Sequence, residues 1–214
     1  MASVTVFLFA ACVALVGADL SLYDFSPVLL ESHHSSSFSR VARSPGGPHD
    51  RCCQGSGDKI ISDQQKSDME ECAKQYGVEK PAAGGPPKGG LEEMKKKMAC
   101  AGQCLGQKQG LLDSDNYVDV DKFSASVAAV VTDSDIKALA EETAKKCAQE
   151  ANEKAKASGE VDYNGTKCNL ALGRAMMCVH IEVELNCPDD KKVKSDECDK
   201  AREHMKKMKE HKDS

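Results

Sequence analysis

Three of the chain's eleven cysteines fall in CNLALGRAMMCVHIEVELNCP, residues 168–188. Nine residues separate Cys168 from Cys178, eight separate Cys178 from Cys187, and Pro188 follows directly. Thiols placed this regularly in an apolar run can be metal ligands, a nucleophile or covalent cross-links. Cys100 and Cys104, with three residues between them, put two thiols on one side of a helix. No histidine or second close cysteine pair beside them completes a zinc-finger spacing, so zinc is not the expected use.

The compartment decides among these chemistries. The chain opens MASVTVFLFAACVALVGADLS, without a charged side chain before Asp19. Its apolar core, Val4 to Val16, is short for a membrane span, and small residues at Gly17 and Ala18 offer a cleavage site after Ala18. Residues 1–18 therefore read as a secretory signal, although only the terminal amine supplies its positive end. No later stretch is long and apolar enough for a membrane helix, so the expected location is extracellular, with no membrane contact. Removal of the leader takes Cys12 with it. Cys52, Cys53, Cys72, Cys100, Cys104, Cys147, Cys168, Cys178, Cys187 and Cys198 remain, an even set that an oxidising compartment converts to five disulfides. Asn164-Gly165-Thr166 is a glycosylation sequon in a loop.

Other chemistries fail on the residues. GLLDSDNYVDVDKF, residues 110–123, resembles a calcium loop only at its start. Aligned on Asp113, it has Tyr117, Val118 and Ser124 where an EF-hand needs an Asp or Asn, a Gly and a Glu. No G-x-S-x-G run occurs, and Cys52-Cys53 is followed by Gln54-Gly55-Ser56 rather than the His-Asp of secreted phospholipases. With no spare thiol either, no enzyme activity, catalytic residue, metal or cofactor is expected. The formal net charge of −5 comes without a basic block, which argues against nucleic acid.

The elements that must position these cysteines are helical. Residues 19–51 are Ser-, Gly- and Pro-rich and read as an irregular segment. Arg40-Val41-Ala42-Arg43 and His33-His34 lie in it, and a solvated tail is the default for both. SDQQKSDMEECAKQYGV predicts a helix capped near Ser62 or Asp63 and stopped near Gly77, with Met69, Cys72, Ala73 and Tyr76 inward. KPAAGGPPKGG, residues 80–90, breaks the pattern. LEEMKKKMACAGQCLGQ resumes it with Leu91, Met94, Met98, Ala101 and Leu105 on one face, and Phe123, Val127 and Val130 face the core from the next helix. Thr132-Asp133-Ser134 caps a long helix ending at Gly159, with Ile136, Leu139, Thr143, Cys147, Ala151 and Ala155 as its inward stripe. A further helix is expected from about Thr166 to Glu184. An amphipathic C-terminal helix carries Cys198, Ala201, Met205 and Met208, and its mixed charges favour packing over a membrane surface.

The order Cys72-x27-Cys100-x3-Cys104-x42-Cys147, then Cys178-x8-Cys187, resembles the six-cysteine pattern of insect odorant-binding proteins. Leu105 to Phe123 is similar to that family's link between its third and fourth helices. Cys168, Pro188 directly after Cys187, and Cys198 resemble the Plus-C subgroup, which usually carries more cysteines than the ten that remain here. The resemblance covers roughly residues 52–200. It implies an all-α fold, a compact bundle of about six to eight helices around a hydrophobic cavity. It also implies core disulfides Cys72–Cys104, Cys100–Cys178 and Cys147–Cys187, each limiting the unfolded chain by roughly 3–5 kcal/mol. Adjacent Cys52 and Cys53 then reach separately to Cys168 and Cys198, in either order, because a vicinal bridge strains the backbone.

On this reading the chain divides into the leader (1–18), the irregular segment (19–51) and a helical domain with an extra C-terminal helix (52–214). The resemblance implies a secreted carrier that reversibly binds a small hydrophobic molecule, such as an odorant, pheromone or lipid. A receptor or a second copy of the chain is a further partner class. The candidate lining is Met94, Met98, Leu111, Leu112, Phe123, Leu172, Ala175, Met176 and Val179. Methionines suit a pocket of loose selectivity, yet each of these residues taken singly reads as ordinary core. His180 reads as a surface or hydrogen-bonded histidine rather than a pH switch. The rival reading is a secreted interaction module with an occluded core.

Overall fold

The computed structural model describes residues 52–56, 63–78 and 90–212. The expected leader, the irregular segment with its histidine pair and R-x-x-R run, and most of the break at 80–90 lie outside the described residues. Those described form helices α1 (Asp63–Gln75), α2 (Gly90–Lys108), α3 (Val120–Val130) and α4 (Ser134–Ser158). A hairpin of β1 (Val161–Tyr163) and β2 (Thr166–Cys168) follows, then α5 (Ala171–Leu185) and α6 (Asp196–Lys212).

Local chemistry sets the boundaries. Asp119 caps α3 by accepting from the Lys122 N–H at 3.1 Å. Asp133 caps α4 by accepting from the N–H groups of Asp135 and Ile136 at 3.0 and 3.2 Å. Both satisfy donors that a helix start leaves without partners. Gly159, at φ +73°, ends α4.

The hairpin corrects the expected helix start at Thr166: α5 begins at Ala171. Val161 pairs with Cys168 and Tyr163 with Thr166, which leaves Asn164 and Gly165 as a two-residue loop. Their φ values are +53° and +79°, the left-handed pair that a type I′ turn needs and that Asn-Gly adopts readily. The strand residues Val161 and Tyr163 favour extended backbone, and local turn chemistry outweighs the apolar run that follows.

The core is centred on α4, which packs most extensively against α3 on one side and α5 on the other. Its buried stripe is Ile136, Ala140, Ala144, Cys147, Ala148, Ala151 and Ala155. Leu139 and Thr143, expected inward, are only half-buried, because the stripe runs through the adjacent positions. Alanine at contact positions lets helices approach closely. Phe123, Leu111 and Ile136 are fully enclosed, and burial of each such side chain stabilises the fold by roughly 1.5–3 kcal/mol.

Five disulfides link these elements: Cys52–Cys198, Cys53–Cys187, Cys72–Cys104, Cys100–Cys168 and Cys147–Cys178. Two of the core pairs implied by the resemblance, Cys100–Cys178 and Cys147–Cys187, are not formed, and Cys53 does not reach Cys168. The reason is a slide of one cysteine. Cys168 and Cys178 occupy the last two places of the six-cysteine order, while Cys187 joins the additional set. Position enforces this: Cys168 closes the hairpin against α2, where Ala99 and Cys100 share its apolar cluster. Cys178 sits on the face of α5 that meets α4, in one cluster with Cys147. An eight-residue interval suggested Cys178 and Cys187 as the terminal pair, but the nine-residue interval is the one used.

The N-terminal segment is sewn across the opposite edge. The Gln54 N–H donates to the Lys191 carbonyl at 2.9 Å, the Val193 N–H to Cys52 at 2.9 Å, and the Thr132 N–H to Gly55 at 3.2 Å. Helix α6 returns beside it: Arg202 donates to the carbonyls of Cys52 and Val193, Lys209 pairs with Glu182 at 2.8 Å, and Met205 is buried. The chain is a compact, mostly α-helical, disulfide-linked fold.

Candidate ligand-binding interior

The largest apolar assembly lies between α3, α4 and α5, closed at one end by the loop that follows α2. That loop turns tightly. The Leu111 N–H donates to the Gly106 carbonyl and the Asp119 N–H to the Leu111 carbonyl, both at 2.9 Å, and Leu112 bridges Val118. Asp113, the residue that suggested a calcium loop, spends its carboxylate on the turn, accepting from the N–H groups of Asp115 and Tyr117 at 2.9 Å. Such a side-chain-to-backbone turn is what aspartate commonly supplies in loops.

Seven of the nine candidate lining residues meet here. Leu111, Phe123, Leu172, Ala175, Met176 and Val179 belong to the cluster, and Leu112 packs against it half-buried. Met94 and Met98 do not join it. They lie 12 and 8 positions before Gly106, the point where α2 touches α5, which at about 1.5 Å per residue is roughly 18 and 12 Å away along the axis. Met94 is buried near the start of α2 and Met98 is half-buried, whereas Leu91, expected on the same face, is exposed in the first turn.

Gly106 makes the contact between α2 and α5 possible. A Cβ on it would stand 2.7 Å from Leu172 Cδ2 and 2.9 Å from Leu112 Cγ. Asn169 fixes the start of α5: its Oδ1 accepts from the Ala171 N–H, its Nδ2 donates to the Asn116 carbonyl, and its own N–H donates to Gln103 Oε1. Buried polar side chains of this kind hold loops at set distances because every atom has a partner.

Ser126 breaks that rule. It is 2% exposed, and its hydroxyl has no hydrogen-bond partner among the described residues. On α3 it follows Phe123 by three positions and precedes Val130 by four, so it shares the inward stripe with them. Gln109, beside the loop, likewise has both side-chain amide atoms shielded and unpartnered. Neither was among the candidates. The pattern Phe123-Ser126-Val127-Val130 carried the signal, since the periodicity that turns three of these inward turns the fourth inward too.

The charged groups lie at the edge. Lys191 Nζ meets Asp133 Oδ2 at 2.6 Å, and this hydrogen bond, with the cap N–H groups, holds the Asp133 carboxyl below its usual value. The same contact raises the Lys191 amine. Asp119 is likewise lowered, chiefly by its hydrogen bond from the Lys122 side chain. Groups tuned this way serve caps and tethers; none belongs to the apolar cluster.

Comparison with known proteins decides the family. The PBP/GOBP family sequence model matches residues 58–171, a stretch holding Cys72, Cys100, Cys104, Cys147 and Cys168. The chain belongs to the PBP/GOBP family. Its members, the insect odorant-binding proteins, are small secreted carriers of odorants and pheromones, and are binding proteins rather than enzymes. No curated protein and no solved structure matches the chain. Among the described residues, no helix is long and apolar enough to cross a membrane.

Proposed function

We propose that residues 52–214 form one carrier domain that takes up a single small hydrophobic molecule reversibly between α3, α4 and α5. Leu111, Leu112, Phe123, Leu172, Ala175, Met176 and Val179 supply its apolar contacts. Binding is desolvation of the ligand, and its strength follows the apolar area removed from water. The protein is secreted through its leader, and its additional cysteines fit the Plus-C subgroup. Delivery is to a receptor or a second copy of the chain. Membership of a carrier family supports this reading, as does the alanine stripe of α4, which keeps side-chain volume low in the cluster that also holds Leu172 and Met176.

The observation that carries it is the Ser126 hydroxyl. A buried hydroxyl without a partner costs roughly 1–3 kcal/mol, and a ligand carbonyl or hydroxyl would supply the missing bond. Matched ligands test this: a medium-chain alcohol or ketone and the alkane of the same length, each displacing a fluorescent apolar probe. The oxygenated member should bind better to the wild type, and Ser126→Ala should reduce that preference by about fivefold, the worth of one neutral hydrogen bond near 1 kcal/mol. An equal preference in both proteins would remove Ser126 from the site.

A further inference from the structure

We propose that Asn164 carries an N-linked glycan whose first N-acetylglucosamine rests in the depression between the hairpin and the start of α2. The sequon Asn164-Gly165-Thr166 occupies the tip of the β1–β2 hairpin, with the Asn164 and Thr166 side chains exposed. The turn does not need the Asn164 amide. Its backbone is set by the strand pairing and by the Gly165 N–H, which donates to Asp162 Oδ1 at 3.1 Å. The Asn164 side chain makes no hydrogen bond among the described residues, so Nδ2 can be substituted without altering the hairpin. The Asn-Gly pair suits a type I′ turn on its own account, whereas nothing in that turn calls for Thr166.

Beside the tip is an open depression of about 590 Å³, lined by Glu92, Glu93 and Lys96 of α2 and by Asp162, Tyr163 and Asn164 itself. Its chemistry fits a pyranose. An aromatic ring offers a surface for the sugar's apolar face, carboxylates accept from its hydroxyls, and an ammonium donates to its acetamido oxygen. The Tyr163 ring packs against Tyr76, 6.4 Å between centroids, and lies 6.0 Å from Lys97 Nζ.

The donor is a lipid diphosphate-linked oligosaccharide. Transfer forms the bond from Asn164 Nδ2 to the anomeric carbon and breaks the bond from that carbon to the diphosphate. One Nδ2 proton passes to the transferase base, and the lipid diphosphate leaves. The proposal rests on the secreted reading only for access to that transferase.

The test is expression of the full chain in a eukaryotic cell line, once with its own leader and once behind a leader of known function. Intact mass should show added carbohydrate that a peptide-N-glycosidase removes. It should be lost in Asn164→Gln and Thr166→Ala and kept in Thr166→Ser. Amine labelling of Lys96, relative to exposed Lys194, should rise several-fold once the glycan is removed. Carbohydrate-free chain behind the known leader would overturn the site. Failure of export with the native leader alone, beside a glycosylated product from the other, would overturn the secreted reading and leave the site standing. Unchanged Lys96 labelling would overturn the placement in the depression.

Discussion

Asn152 on α4 holds Val118 as a neighbouring strand would: the Val118 N–H donates to Asn152 Oδ1 at 3.0 Å, and Asn152 Nδ2 donates to the Val118 carbonyl at 2.9 Å. One side chain thereby satisfies both backbone groups of a buried loop residue, and the loop carrying Leu111, Leu112 and Tyr117 is pinned to the central helix. Asn152→Ala leaves two shielded backbone groups without partners, which should cost about 2–6 kcal/mol at roughly 1–3 each. Urea unfolding measures it, and a loss under 1 kcal/mol by the same scale would show that the clamp is dispensable.

Two glycines one helical turn apart on α2 should behave oppositely. A Cβ at Gly102 would meet nothing within 4 Å, whereas one at Gly106 would meet Leu172 and Leu112 at under 3 Å. Gly102→Ala therefore gains helix propensity alone, about 0.5–1 kcal/mol of added stability. Gly106→Ala gains the same propensity but overpacks the contact at about 1–3 kcal/mol. It should be net destabilising, and Gly106→Val more so. Thermal unfolding of the three variants checks the order.

The Asp133–Lys191 pair predicts an acid-sensitive tether. Asp133 has the lower carboxyl value in the folded protein, chiefly through the Lys191 hydrogen bond. Its contribution is therefore whole above the unfolded value near 3.9 and is lost as pH falls through the folded one. Lys191 is raised, so its share is whole below its ordinary value and is lost only as strong base is approached. Asp133→Asn keeps an oxygen that can cap α4 but removes the charge. The stability gap between wild type and variant should stay level from about pH 5 to 9 and shrink towards zero below about pH 4. A gap independent of pH would place its origin in the cap alone.

Cys52→Ser with Cys198→Ser should release α6 before anything else. This disulfide closes a separation of 146 residues, worth up to about 5 kcal/mol in the chain-entropy model. Helix α6 is also held by buried Met205, by Arg202 and by the Lys209–Glu182 pair. Hydrogen exchange should rise across 196–212 while α4 and α5, joined through Cys147–Cys178, and α3, packed on α4, stay protected. Exchange rising equally throughout would show that α6 is integral to the core.

Ser126→Ala should stabilise the ligand-free protein by about 1 kcal/mol or more, since it removes an unpartnered buried hydroxyl and improves helix propensity. Loss of stability on this change would mean that the hydroxyl has a partner after all. Calorimetry in the absence of added ligand measures it.

What was legible in the sequence followed from short-range rules. The cap at Asp133, the stops at Gly77 and Gly159, and the inward side of α3 at Phe123, Val127 and Val130 all rest on chemistry within a turn or two. The hairpin was equally local, in Val161, Tyr163 and the Asn164-Gly165 turn, but the apolar run after it drew the helix forward to Thr166. Pairing of cysteines was less accessible, because two spacings one residue apart are equally compatible with a helix. Only the packing of Cys168 on α2 and of Cys178 on α4 separates them. Met94 and Met98 share the periodicity of α2 with the residues near Gly106, and periodicity gives the face of a helix but not which end meets its neighbours. Ser126 is hard to single out in the sequence, because a serine sits more often on an exposed helix face than on a buried one.

The carrier reading meets its most direct test in equilibrium binding of a fluorescent apolar probe to the oxidised chain, which has no tryptophan of its own to interfere. The account predicts saturable binding at one site per chain, displaced by small lipophiles and lost when the five disulfides are reduced. Absence of binding by a helical, fully disulfide-bonded sample would contradict it and mark the interior between α3, α4 and α5 as a closed core.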